Sequence, residues 1–142
     1  MLDVTQRLLE LLDLSPIGDD HFQGDSEDLG FPNVFGGQVL GQALMAASRT
    51  VENRLCHSLH AYFLRPGNHR MPIDYEVQRV RDGGSFSVRR VIARQDGKEI
   101  LTGSMSFQVS SRRSAVTGAP SSRIRSRAST RCGEVNRPVR RP

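Results

Sequence analysis

No run of about 18 apolar residues occurs in this 142-residue chain, and no basic flank leads into an apolar stretch at its amino terminus. A membrane-spanning helix is thereby excluded, and a soluble, unexported, cytoplasmic protein is expected. Cysteine is scarce: Cys56 and Cys132 are the only two, too few for a disulfide framework and outside any paired metal-ligand spacing. Both are read as free thiols in a reducing compartment. The chain also lacks a GxSxG elbow, an HExxH pair and a Walker loop, which sets aside three large enzyme classes. Gly36-Gly37-x-x-x-Gly41 has the wrong spacing for a dinucleotide fingerprint, and Pro32-Asn33 precedes it where that motif needs a strand. The five acids between Asp19 and Asp28 lack calcium-loop spacing and read as a solvated loop, interrupted by Phe22, which suits a short strand.

Charge is spread unevenly along the chain, and lysine and acids are nearly missing from its end. The net charge is +5, yet residues 109–142 hold nine arginines, no lysine and a single acid, Glu134. The first 108 residues therefore carry 20 − 9 = 11 basic and 15 − 1 = 14 acidic side chains, or −3. This mildly acidic body argues against a specific nucleic-acid partner. The tail has no aromatic residue for base stacking and offers only nonspecific charge. Rich in serine, arginine and proline, it cannot bury enough surface to fold and is expected to be disordered. The abrupt arginine-rich composition is what GC-rich codons give out of frame, so a frameshifted product is the expectation for 109–142.

The body has a clear pattern. Gln38 to Val51 contains no proline and is rich in small residues, namely Gly41, Ala43, Ala46, Ala47 and Ser48, with Val39, Leu40, Leu44 and Met45 as apolar bulk. That predicts a helix opened by Gly36 and Gly37 and enclosed by protein, about 20 Å long at roughly 1.5 Å per residue. Residues 2–14 place Leu8, Leu9, Leu11, Leu12 and Leu14 at helical spacing after a Thr5 cap, an amphipathic lid or flanking helix.

Alternating strands follow. Cys56 to Leu64 sets Leu59, Ala61 and Phe63 against Ser58, His60 and Tyr62. Ile73 to Arg81 carries Ile73, Tyr75 and Val77 on one face, then Val80 out of phase, which predicts a bulge. Phe86, Val88 and Ile92 mark a third strand, Asp96-Gly97 a hairpin turn, and Leu101, Met105 and Phe107 a fourth. A sheet of strands this long must twist, and curling it around the small-residue helix buries both together. The fold class is α+β, with the core ending near Gln108.

His57 and His60, three apart on a strand, are expected on opposite faces, which argues against a shared metal. The double glycine has two readings. It serves either as a tight turn or as a helix start whose first amides point outward to polarise a carbonyl.

The runs VFGGQVLGQALMAAS, CHSLHAYFLRPGN, PIDYEVQRVRDGGSFSVRRVIARQDGKEI and SMSFQ, together with FQGDSEDLG, resemble in order and spacing the amino-terminal repeat of type II acyl-CoA thioesterases. The resemblance implies a single hotdog domain over 1–108, a central helix wrapped by a curved antiparallel sheet, followed by the tail at 109–142. It implies hydrolysis of acyl-CoA to free fatty acid and coenzyme A with no cofactor and no metal. Gly36, Gly37 and Gln38 become substrate-binding candidates, acyl-CoA the partner, and another hotdog domain the pairing partner in a homo-oligomer.

In the family the catalytic aspartate, hydroxyl and glutamine lie in a second repeat that this chain does not carry. Anchored on Arg65-Pro66, the aspartate position falls on Ser58, the hydroxyl on Ser85 or Ser87, and the glutamine on Ser106 in place of Gln108. The alternative reading is a non-catalytic hotdog binding or assembly module.

Overall fold

The computed structural model describes residues 3–110. The tail expectations for 111–142, Cys132 included, lie outside the described residues. Two helices and six strands follow in the order α1 (Val4–Leu12), β1 (Ser15–Gly18), β2 (His21–Gly24), α2 (Gly36–Ser48), β3 (Arg54–Phe63), β4 (Ile73–Asp82), β5 (Phe86–Gln95) and β6 (Lys98–Val109). The strands form one sheet in the order β1-β2-β4-β5-β6-β3, and every neighbouring pair is antiparallel. This is the α+β arrangement that the residue pattern predicts. No helix among the described residues is long and apolar enough to cross a membrane.

Helix α2 touches every strand from β2 to β6. A flat sheet spaces neighbouring strands about 4.8 Å apart, so one helix about 10 Å wide reaches five of them only where the sheet curls. The small residues make this close approach possible. Ala43, Ala46 and Ala47 are completely buried against Ile73, Tyr75, Val77, Val91, Ala93, Leu101, Met105 and Phe107. The helix is less enclosed than the sequence suggests. Its other side, with Leu40, Leu44 and Met45, is only partly buried.

Helix α1 begins after Asp3, which makes no side-chain cap hydrogen bond, and the predicted Thr5 cap lies inside the first turn. None of its residues is buried; Leu8 and Leu9 remain 53% and 58% exposed. Strand β1 was not expected, since Pro16 argues against a strand. Pro16 is tolerated because β1 is an edge strand, where an amide facing solvent goes unused.

Four register shifts interrupt the ladders, and two of them bear on expectations from the sequence. The one in β4 between Arg79 and Arg81 is the bulge predicted from Val80, which ends up on the outer face and exposed. The one in β3 falls between Cys56 and Ser58. It overturns the expectation that His57 and His60 point to opposite faces. The extra residue turns His57 outward, where its ring meets Ser106 and Phe86, and His60 occupies the same outer face opposite Ser104.

Strand β5 holds a second surprise. Its helix-facing residues are Ser87, Arg89, Val91 and Ala93, all buried, whereas the apolar Phe86 and Val88 lie on the outer face. The fully buried Arg89 is satisfied throughout. Its Nε donates to Thr50 Oγ1 at 2.7 Å, and Nη2 donates to the Thr50 carbonyl at 3.1 Å and to Asp82 Oδ1 at 2.7 Å. Nη1 donates to the carbonyls of Arg81 and Val88 at 3.2 and 3.1 Å. One side chain thus ties the end of α2 to the β4–β5 turn. At the opposite hairpin, Asp96 and Gly97 adopt φ of 49° and 70°, the left-handed pair that a two-residue turn requires.

Candidate functional site

The start of α2 is held by what surrounds it. Phe35 caps the helix from an extended conformation, and the first amide to find an intrahelical acceptor is that of Gln38, bonded to the Phe35 carbonyl at 3.0 Å. The amides of Gly36 and Gly37 lie ahead of that ladder and carry the partial positive charge of the helix start. A Cβ at Gly37 would lie 2.5 Å from the Phe35 ring, which would have to swing aside. Phe35 itself is 54% exposed and forms one wall of an opening beside the glycine.

That opening is a cavity of about 490 Å³ between the two helices. Val4, Leu8, Leu11 and Leu12 line it from α1, Gly37, Gln38 and Gly41 from α2, with Leu29 and Phe35 at the rim. Residues 37 and 41 are one helical turn apart, so two glycines stack on one face and leave a trough where side chains would otherwise interdigitate. The sequence shows both glycines. That they face α1 and not the sheet is set by the packing.

Gln38, predicted to bind substrate, is buried and already committed. Its Nε2 donates to the Asp25 carbonyl at 3.1 Å, and its Oε1 accepts from the Glu27 amide at 3.4 Å. One turn on, Gln42 Nε2 donates to the carbonyls of Leu11 and Asp25 at 2.7 and 2.8 Å, while its Oε1 accepts from the Tyr75 hydroxyl at 2.7 Å. Burial pushes the Tyr75 hydroxyl far above its ordinary value, so it stays a donor. These two glutamines pin the 25–27 loop to α2. Arg7 of α1 closes over the same loop through an ion pair with Glu27.

The hydroxyl candidates do not converge. Ser58 and Ser106 are cross-strand partners on the outer face of β3 and β6, and His57 Nε2 lies 2.8 Å from Ser106 Oγ. Ser87 points the other way, buried, donating to Asp82 Oδ1 at 2.7 Å. Ser85 is exposed in the β4–β5 turn, where its carbonyl accepts from the Val109 amide. Two of the three positions taken from the resemblance, Ser58 and Ser106, therefore share one row, and the third does not join them. The bulge at His57 supplies that row with a histidine that strand periodicity had placed elsewhere. Among the described residues no group of three or more His, Cys, Asp or Glu could hold a metal ion.

Comparison with known proteins bears on both helix start and sheet. Residues 24–108 match the family model described as the acyl-CoA thioesterase N-terminal domain. The chain is 48% identical over 110 residues to acyl-CoA thioesterase 2 of Haemophilus influenzae, covering 77% of this chain and 38% of that protein. Among solved structures, a tesB protein of Mycobacterium avium subsp. paratuberculosis is 41% identical with a TM-score of 0.70, over 80% of this chain and 44% of that one. A conserved protein of Alicyclobacillus acidocaldarius with a hot dog fold superimposes with a TM-score of 0.66 at 23% identity, a likeness of fold alone. The chain thus spans less than half the length of each of these three proteins.

Proposed function

Because the chain belongs to the family of acyl-CoA thioesterase N-terminal domains, we propose that it is the first hotdog repeat of an enzyme that hydrolyses acyl-CoA to free fatty acid and coenzyme A. The observation that carries this reading is the family match falling on a helix start at which Gly37 borders an apolar cavity. In such a site the amides of Gly36 and Gly37 accept the developing negative charge on the thioester oxygen as water attacks the carbonyl carbon. The Phe63 ring at Gly36 and the half-exposed Phe35 ring at Gly37 fill the space a side chain would take, and no metal is needed for the polarisation. Gln38 acts indirectly, by holding the 25–27 loop against α2.

The water must also be activated. In the family this falls to a carboxylate, hydroxyl and amide network in the second repeat, and at the corresponding row this chain carries Ser58 and Ser106. We therefore assign carbonyl binding to this repeat and general-base chemistry to a partner repeat. Among the described residues strand β3 ends the sheet with one edge unpaired, and Leu55, Tyr62 and Phe63 on it are exposed, so a second hotdog domain would pair there; another copy of this chain would complete that assembly but bring the same Ser58 and Ser106, so the base comes from a second-type repeat. A reducing, cytoplasmic setting suits the free Cys56 thiol.

The deciding experiment measures thiol release from acyl-CoAs of graded chain length by purified protein, alongside light scattering. Release at any length supports hydrolysis. A dimer without release at any length favours the second reading, a non-catalytic assembly module built on the same open edge.

A further inference from the structure

We infer that the cavity between α1 and α2 is a binding site for a single unbranched acyl chain, entered beside Gly37, with α1 as its cover and Gly41 setting how much chain it accepts. The inference rests on the acyl-thioester reading above. The layer between α2 and the sheet has no room for a chain, being filled by Ala43, Ala46, Ala47 and the completely buried Ile73, Leu101 and Phe107. The free volume lies on the opposite side of α2.

Three observations select the occupant. The first is the chemistry of the wall. Its polar side chains are Arg7, Glu27 and Gln38, and all are engaged, Arg7 with Glu27 and Gln38 with the 25–27 backbone. What remains for a ligand is hydrocarbon: Val4, Leu8, Leu11, Leu12 and Leu29, the Phe35 ring and two glycine backbones.

The second is size and polarity. About 490 Å³ falls in the range of small-molecule sites, and an amphipathic helix about 10 Å across does not fit between α1 and α2. The positive end of α2 reaches this cavity at Gly37, so the complement is a ligand with one oxygen-bearing head and an apolar tail.

The third is the lid. Val4, Leu8, Leu11 and Leu12 repeat at helical spacing on the face α1 turns to the trough, yet nothing in α1 is buried. A chain lying in the trough would bury that face. Gly41 sits on the floor, where even an added Cβ would come within 3.3 Å of Leu12 Cδ2.

The test is a titration of the ¹⁵N-labelled full chain with hexanoate, octanoate, decanoate and dodecanoate, each below its micelle concentration, followed by amide chemical shifts. Saturable shifts are expected at Gly37, Gln38 and Gly41, with affinity rising roughly fourfold per added methylene until the cavity is full. Gly41→Leu fills the trough, so the rise should stop at a shorter chain and decanoate should bind about tenfold more weakly. If that variant does not fold, Leu8→Gln, at an exposed position, should weaken the same ligands and leave hexanoate least affected.

Shifts that cluster instead around Val80, Val88 and Arg90 on the outer sheet face would overturn the inference, as would affinities unchanged in both variants or no saturable shift at all. The outcome is separable from the hydrolysis reading. Thiol release without shifts at these amides removes this site and leaves the activity, whereas shifts without thiol release do the reverse.

Discussion

The Tyr75 hydroxyl donates to Gln42 Oε1 at 2.7 Å in a fully buried contact between β4 and α2. The other end of Gln42 reaches the carbonyls of Leu11 and Asp25, so one amide side chain joins the sheet, the central helix, the cover helix and the acidic loop.

Tyr75→Phe should therefore cost about 1–3 kcal/mol, the penalty of stranding one buried acceptor. Gln42→Leu should cost more, because it strands the Tyr75 hydroxyl and two backbone carbonyls together. Urea midpoints of both single variants and the double variant check this. The two effects should be clearly non-additive, as expected of groups in one network.

Arg89 is 1% exposed and is shared by Thr50, Asp82 and two backbone carbonyls. Arg89→Met should lower stability by about 1–3 kcal/mol, since it strands the buried Thr50 hydroxyl and neighbouring carbonyls while the half-exposed Asp82 carboxylate is solvated. Arg89→Lys should not rescue the fold, because an ammonium cannot reproduce the five-donor fork. Denaturant unfolding of the two variants reads this directly.

Acid should destabilise the protein in a defined window. Hydrogen bonds from Arg79 hold Asp20 below its ordinary value, those from Arg94 and Gln78 lower Glu76, and those from Ser87 and Arg89 lower Asp82. Groups whose folded pKa is depressed contribute stability that is complete above their unfolded values, 3.8 for Asp and 4.5 for Glu. That contribution is lost as pH falls through the lower folded values. The urea midpoint should thus change little between about pH 7 and 5 and drop below about pH 4. Asp20→Asn with Glu76→Gln should flatten the acid limb.

Gly37→Val should impair the site more than the fold. The new side chain would displace the Phe35 ring, which is free to swing because it is half exposed, and would shield the helix-start amide. Acyl-CoA affinity, measured by calorimetry, is expected to fall at least about tenfold while the unfolding midpoint moves little. An unchanged affinity would remove Gly37 from carbonyl binding.

Much of the fold was legible because its signals are local. The small-residue run from Gln38, the alternation of Ile73, Tyr75 and Val77, the Val80 phase slip and the Asp96-Gly97 turn each specify backbone geometry within a few residues. The short strand around Phe22 was visible for the same reason, from one buried aromatic in a polar stretch. Strand β1 was hidden because its pairing depends on β2 and not on its own sequence, SPIG.

The site was legible only in outline. Gly36, Gly37 and Gly41 could be picked out as positions open to close approach, but helical periodicity alone does not say which neighbour each face meets. Packing decided that Gly37 and Gly41 face α1 and that Gln38 and Gln42 are spent on the 25–27 loop. It also decided that Arg89, which any composition rule puts at the surface, lies inside β5.

His57 illustrates the division most clearly. By itself the sequence determined that the alternating stretch from Cys56 to Leu64 is a strand, found at Arg54–Phe63, since alternation is a property of neighbouring residues. Its phase at position 57 was decided by pairing with β6, where one unmatched residue in the ladder turns a side chain to the other face and brings His57 to Ser106. Register is a relation between two strands far apart in the chain, so only the tertiary structure could settle it.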